Sequence, residues 1–378
     1  MFDETYLSQI EERVIKDAIL KKDAGASIVG VYCAFTPKEL IAAAGAIPVA
    51  LCSGTNQAIP AAEAHLPRNL CPLIKASYGH ALSDTCPYFH MADFLLADAT
   101  CDGKKKMFEL LADIKPLYML QLPQTAETPE SYAYWLQELY RVRALLEQRT
   151  GVAITDENLL GQIRIYNALR TTICEVFELN KGEVPLLHGH EIDRITSMAG
   201  FECNLETRIV EMRQAVVSAR LRLNDHSFIK EMRHRPRILL TGCPSTNKKV
   251  LKLIEINGGV IVAMESCGGL KTAGFTVQEE GNPMESLARR YLDTACACMS
   301  PNHRRIDILR NLVSEYRVDG VIELTWEGCH TYNIEAFHIE KAVTEQFNRP
   351  YLHITTDYSD NDTGQLKTRI EAFLELLS

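Results

Sequence analysis

The chain has 378 residues, twelve cysteines, a formal net charge of −9 and a pI near 5.7. With 46% hydrophobic and 24% charged residues it is globular rather than disordered, and at about 150 residues per domain it holds two or three domains. Its acidic balance lacks the basic footprint that phosphate neutralisation needs, which argues against a nucleic-acid binder.

Met1 to Arg13 is amphipathic and acidic, unlike a secretory or transit peptide. The longest apolar stretch, Leu40 to Cys52, is broken by Gly45 and Pro48 and too short to span a bilayer. A cytoplasmic protein without a membrane segment is expected. In a reducing compartment thiols are buried small hydrophobes or metal ligands rather than disulfides.

In chain order, an apolar run from Ser27 ends at Cys33, and Thr36-Pro37-Lys38-Glu39 follows. That sequence predicts a helix start with Thr36 as N-cap, Pro37 at the first position and Glu39 closing a capping box. Ala46 to Leu51 is the next strand, ending at Cys52, so the unit is strand–helix–strand, as in a parallel sheet. Cys71-Pro72 opens another helix. Ala92 to Ala99 is a short buried strand that runs into Thr100-Cys101-Asp102-Gly103-Lys104-Lys105-Lys106, and Leu117 to Leu122 is a further strand.

From about Pro129 to Leu223, leucines, arginines and glutamates recur at helical spacing, predicting a helical segment wrapped onto the first domain. Cys174 and Cys203 fall inside it as packing residues. The third section repeats the first. Strands at Arg237–Thr241, Val260–Met264, Val318–Thr325 and Pro350–Thr355 lead to or alternate with Cys243, Cys267, the Cys296/Cys298 pair and Cys329. The expected fold is α/β, with two Rossmann-like parallel-sheet domains (1–128 and 235–378) facing each other across a cleft and an added helical segment (129–234).

Cys33 and Cys243 each follow a first strand, Cys52 and Cys267 a second, and Cys101 and Cys329 a later one. This pattern points to an internal duplication. In an open parallel sheet the carboxyl ends of the strands form the ligand crevice. Nine cysteines therefore lie near strand ends or helix starts around one cleft, with Cys86 in a loop left as structural. Cysteines placed only for packing have no reason to prefer strand ends. No C-x₂-C pair announces zinc, and the bacterial ferredoxin run is absent, so widely spaced thiolates favour an iron–sulfur cluster between domains. Neither GxxxxGK[ST] nor GxGxxG occurs, so electrons and any ATP-derived driving force must come from another protein.

The stretches YCAFTPKELIAAAGAIPV, LPRNLCPLIK, TCDGKKKM, CMSPN and GCHTY, with the tail DYSDNDTGQLKTRIEAF, resemble the 2-hydroxyacyl-CoA dehydratase / benzoyl-CoA reductase component superfamily over nearly the whole chain. The resemblance implies, for a dehydratase subunit, one [4Fe-4S] cluster on three cysteines that map onto Cys71, Cys101 and Cys329. Cys33, Cys267 and the Cys296/Cys298 pair exceed that pattern. In this the chain is similar to the homodimeric double-cubane cluster proteins, whose [8Fe-9S] group is held by six cysteines. The implied set is Cys33, Cys71, Cys101, Cys267, Cys329 and one of Cys296 or Cys298, with Cys298 slightly favoured; Cys52 and Cys243 are the internal-repeat counterparts left out. The resemblance further implies an ATP-hydrolysing iron–sulfur reductase partner and reduction of a small-molecule substrate.

Two other readings stay open: a dehydratase subunit with one cluster, and a non-catalytic electron-transfer or redox-sensing protein. His330, next to Cys329, is either a catalytic proton donor or a helix cap, and Glu327 is a weaker candidate of the same kind. Lys104 to Lys106 either balance a cluster or form a solvated turn. Asp357 to Asp362 reads as a turn and helix cap rather than a cation loop.

Overall fold

Parallel strands cannot be joined by tight turns, so each crossover must bring a helix back over the sheet. The computed structural model, which describes residues 2–377, follows this rule twice. The first sheet contains β1 (Ile28–Tyr32), β2 (Ile47–Ala50), β3 (Phe94–Asp98) and β4 (Leu117–Leu120), in the order β2-β1-β3-β4. The second contains β5 (Arg237–Gly242), β6 (Val260–Glu265), β7 (Gly320–Trp326) and β8 (Tyr351–Thr356), in the order β6-β5-β7-β8. All pairings are parallel, and the two orders are the same. In each sheet the chain reverses direction of travel after its second strand, which opens a crevice at the carboxyl edge.

β1, β3, β5, β6 and β7 are buried along their whole length, as strands covered on both faces must be. One face of the first sheet (Val29, Val31, Leu96) packs on Trp135, Leu139 and Val142 of the helix Pro129–Thr150. It also packs on Met284, Leu287 and Tyr291 of the helix Pro283–Leu292. A stretch of the third section thus completes the core of the first sheet. The helical segment also reaches beyond the first sheet: Gly189 lies directly on Ile261 of β6, and Arg237 of β5 donates to the Asn180 carbonyl.

The predicted capping box at Thr36 does not form. The helix Lys38–Ala43 has Pro37 as its N-cap with no side-chain cap bond. The Thr36 hydroxyl instead donates to Asp98 Oδ1 at the end of β3. Glu39 is fully buried, paired with Arg170 at 2.5 Å, and accepts from the Tyr291 hydroxyl at 2.7 Å. Burial alone would raise the Glu39 carboxyl, but the Arg170 guanidinium and the Tyr291 hydroxyl outweigh it and hold it below the usual range. Cys203, placed by sequence in a helix, stands in the bend before the helix Leu205–Arg220. Asp362 is the N-cap residue of the helix Thr363–Leu376, as expected, but its side chain makes no cap bond; it pairs with Lys249 at 2.5 Å and accepts from Thr356.

Arg305, from the helix His303–Glu315, is wholly buried under the second sheet. Its Nε donates to Glu265 (3.2 Å), and its Nη2 donates to both Glu323 (2.8 Å) and Thr241 (3.0 Å). Its Nη1 meets Glu335 at 2.5 Å. Thr241 is register-paired with both Glu265 and Glu323, so one guanidinium ties β6, β5 and β7 together near their carboxyl ends. Removing one partner of such a group leaves buried charge uncompensated. Arg305→Ala should therefore lower unfolding free energy by about 3–5 kcal/mol in denaturant titration, whereas Lys106→Ala, which breaks a solvated pair with Glu109, should leave the midpoint nearly unchanged.

Candidate metal centre at the carboxyl edges of the two sheets

Cysteines follow the strands of the two sheets at matching offsets. Cys33, Cys52 and Cys101 stand one, two and three residues beyond β1, β2 and β3. Cys243, Cys267 and Cys329 stand one, two and three residues beyond β5, β6 and β7. All twelve cysteines are free thiols.

Three of these cysteines introduce helices. Cys71, Cys101 and Cys329 are the N-caps of the helices Pro72–Leu82, Asp102–Ala112 and His330–Lys341, and none makes a side-chain cap bond. First-turn N–H groups nevertheless face these sulfurs, those of Leu73 and Ile74 at Cys71, Lys104 at Cys101 and Tyr332 at Cys329, and the positive ends of three helix dipoles favour negative charge there. The Cys329 thiol reaches both Cys243 and Cys71. Those two thiols, Cys243 first, donate to it and hold it far below the usual thiol range. In return Cys71 is pushed up by its bond to Cys329 and by burial, and Cys243 by burial and by Cys329. Cys101 feels the charges of Lys104, Cys329 and Cys296.

This meeting of the two sheets depends on Gly328. Its φ is +70°, and a Cβ built there would lie 2.6 Å from the Asn69 carbonyl oxygen and 3.0 Å from the Cys71 nitrogen. Only a residue without a side chain lets the loop after β7 lie on the loop that carries Cys71.

A second group of sulfurs surrounds two buried ammonium groups. Cys33 adopts a left-handed backbone (φ +74°), and its Sγ accepts from Lys104 Nζ and lies 3.5 Å from the Thr100 hydroxyl. Burial pushes the Cys33 thiol up while Lys104 pulls it down. Burial likewise opposes the charge of Lys104, but Cys33 and Cys52 outweigh it and keep the ammonium protonated. Cys298 donates to Cys296, which lowers Cys296 to about 6 and raises Cys298. Burial raises Cys267 to about 11 against the pull of Lys271; Cys296 and Cys52 also act on it. Lys271 is an ion-pair partner of Glu265 at 3.1 Å and donates to the Tyr332 hydroxyl at 2.5 Å. Asp98 closes the region from below, its carboxyl raised to about 7 by burial although Thr36 and Phe35 donate to it.

The seven sequence-selected cysteines, Cys33, Cys71, Cys101, Cys267, Cys296, Cys298 and Cys329, therefore fall in one connected region. Cys52 and Cys243, left out of that set, fall there too. Three cysteines lie elsewhere. Cys86 Sγ accepts the Phe89 N–H at the start of the helix Pro87–Met91, Cys174 donates to the Ala273 carbonyl, and Cys203 is half-buried before its helix. The lysine run divides: Lys104 turns inward, while Lys105 and Lys106 pair on the surface with Asp102 and Glu109. His330 is exposed at the first position of its helix, and its ring makes no hydrogen bond among the described residues; Glu327 is also exposed. Lys271 was missed by sequence reasoning, although its place four residues after Cys267 was the available signal.

Nine soft sulfur donors, three helix N-termini headed by cysteine and two buried ammonium groups suit an anionic iron–sulfur group in all-thiolate ligation. A cavity of about 240 Å³ is lined by Leu70 and Pro72, the chain neighbours of Cys71, and by Asn69, Glu327 and Asp357 among others. No helix among the described residues is long and apolar enough to cross a membrane.

A family model described as 2-hydroxyglutaryl-CoA dehydratase, D-component, matches residues 33–377. The chain is 41% identical over 358 residues to the provisionally designated dehydratase subunit YjiM of Escherichia coli (strain K12), covering 94% of this chain and 93% of that protein. It is 24% identical over 365 residues to the (R)-phenyllactyl-CoA dehydratase beta subunit of Clostridium sporogenes, with 94% and 93% covered. To one of the subunits of benzoyl-CoA reductase from Thauera aromatica it is 22% identical over 355 residues, with 91% and 88% covered.

Gly328→Ala combines a left-handed backbone with overlap against fixed main chain, so it should cost about 1–3 kcal/mol in denaturant unfolding. Gly268→Ala, beside Cys267 but with nothing within 4 Å of its Cβ position, should cost much less. Equal losses in the two variants would show that the Gly328 contact does not constrain the fold.

Proposed function

The chain belongs to the 2-hydroxyglutaryl-CoA dehydratase D-component family, and from that premise we propose that it is an iron–sulfur reductase component with a double-cubane [8Fe-9S] cluster. The observation that carries this reading is the convergence of nine cysteines where one cubane on this scaffold needs three. In this reading Cys71, Cys101 and Cys329 hold one half of the cluster from three helix N-termini. Cys33, Cys267 and either Cys296 or Cys298 hold the other half. The cluster supplies low-potential one-electron transfer when bound.

The protein's own groups then have definable roles. Lys104 donates to the Cys33 sulfur, and with Lys271 it places fixed positive charge beside the thiolates. Both ammonium groups are buried, and the cysteines are buried (Cys71, Cys243) or half-buried, so partial exclusion of water strengthens these interactions. His330, exposed beside Cys329, is a proton donor at the open side. The sequence carries no phosphate-binding loop, so the electrons come from an ATP-hydrolysing iron–sulfur reductase partner. The functional unit is a cytoplasmic homodimer.

A second reading follows from the names of the relatives, two of which are dehydratase subunits: one [4Fe-4S] cluster on Cys71, Cys101 and Cys329, a partner chain of similar fold, and dehydration of a 2-hydroxyacyl-CoA. Iron and acid-labile sulfide analysis of anaerobically purified protein separates the two. The double-cubane reading expects about eight irons per chain, falling to about four in Cys33→Ser or Cys267→Ser. About four irons in the unaltered chain, together with turnover of a 2-hydroxyacyl-CoA to an enoyl-CoA, would establish the dehydratase reading instead.

A further inference from the structure

Away from the cysteines, two histidines flank Gly189 where the chain enters the helix Gly189–Thr196. Their rings stack nearly parallel, with centroids 5.2 Å apart and an interplanar angle of 16°, and Phe228 stands edge-on to His188. Glu255, buried on the helix Lys249–Ile256, faces them. Its Oε1 accepts the Gly189 N–H at 2.5 Å, and its Oε2 accepts the His190 N–H at 3.2 Å and contacts His190 Nδ1. One donor atom from each of the three residues lies within 4.8 Å of the other two. The His188 ring faces the Glu191 N–H as one half of a capping box but completes no cap bond, so its buried Nδ1 is left without a hydrogen-bond partner of full geometry, which is costly for a ring nitrogen unless something occupies it.

We propose that His188, His190 and Glu255 bind one divalent cation of the zinc type, at a site separate from the cysteine centre. Two imidazole nitrogens and one carboxylate oxygen are a borderline donor set that suits zinc, with a position left for water. The positive end of the helix opposes a cation here, and the Glu255 carboxylate already facing that end offsets it. The site lies between two helices. It joins the helix Gly189–Thr196 to the helix Lys249–Ile256 beside Ile261, and the six residue steps from Ile261 along β6 to Cys267, an extended span of up to roughly 20 Å, lie between it and that sulfur.

The experiment uses the anaerobically purified full chain, stripped with a mild chelator and dialysed against zinc chloride. Zinc and iron are read by elemental analysis. The expected result is one zinc per chain that survives dialysis. His188→Ala or His190→Ala should weaken zinc binding by about 100-fold or more, since even an outer-shell loss costs 10–100-fold, with iron content unchanged. Zinc should also protect His188 and His190 of the unaltered chain from diethylpyrocarbonate, read by peptide mass, which locates the ion even where a variant fails to fold. Unaltered zinc content in both variants, no zinc retained by the parent chain, or equal modification of both histidines with and without zinc would each overturn the proposal and leave His190 and Glu255 as an ion pair.

Discussion

The carboxyl edge of the second sheet is set by a single buried guanidinium. Arg305 touches Thr241, Glu265 and Glu323, three residues level with one another on neighbouring strands, so those strands cannot slide without stranding a charge. Cys243 and Cys267 each stand two residues beyond one of these anchors, and Glu335, the fourth partner, accepts from Asn302, whose amide also donates to the Cys296 carbonyl. The positions of at least three sulfurs therefore derive from one polar knot that touches no sulfur directly. Well-held groups behind a ligand shell are what fixes its geometry.

At the same edge a second constraint is steric rather than electrostatic. Gly328 lets two loops from distant parts of the chain touch, and Gly242, with φ +105° and the Leu324 carbonyl oxygen 2.2 Å from its Cβ position, turns β5 directly into Cys243. The two cationic side chains at the centre sit among these fixed loops. Their positive charge and that of the helix ends is present in the fold itself, before any anionic group arrives.

Much of this was legible in the sequence because buried parallel strands are short apolar runs and their ends are marked by cysteine, glycine and proline. The repeat of strand and cysteine showed in both halves, and the family resemblance spans the residues of the family match. What misled was local chemistry overruled by distant partners. Thr36 and Glu39 have the spacing of a capping box, yet Asp98, Arg170 and Tyr291, each more than 60 residues away, claim them. Spacing alone carries no information about such partners. The same reason hid Lys271, the inward turn of Lys104, and the packing of Met284 and Tyr291 on the first sheet.

That last packing arrangement has a consequence for synthesis. The face of the first sheet formed by Val29, Val31 and Leu96 is covered partly by residues that follow Val277. A ribosome adding about 5–20 residues per second needs on the order of 10 s to go from Leu120, the end of that sheet, to Val277. Throughout that interval the nascent sheet has an uncovered apolar flank and Glu39 lacks the Tyr291 hydroxyl. The first half of the chain is thus a client for whatever shields nascent apolar surface, and the order of translation, rather than the final contacts alone, decides how safely the centre is assembled.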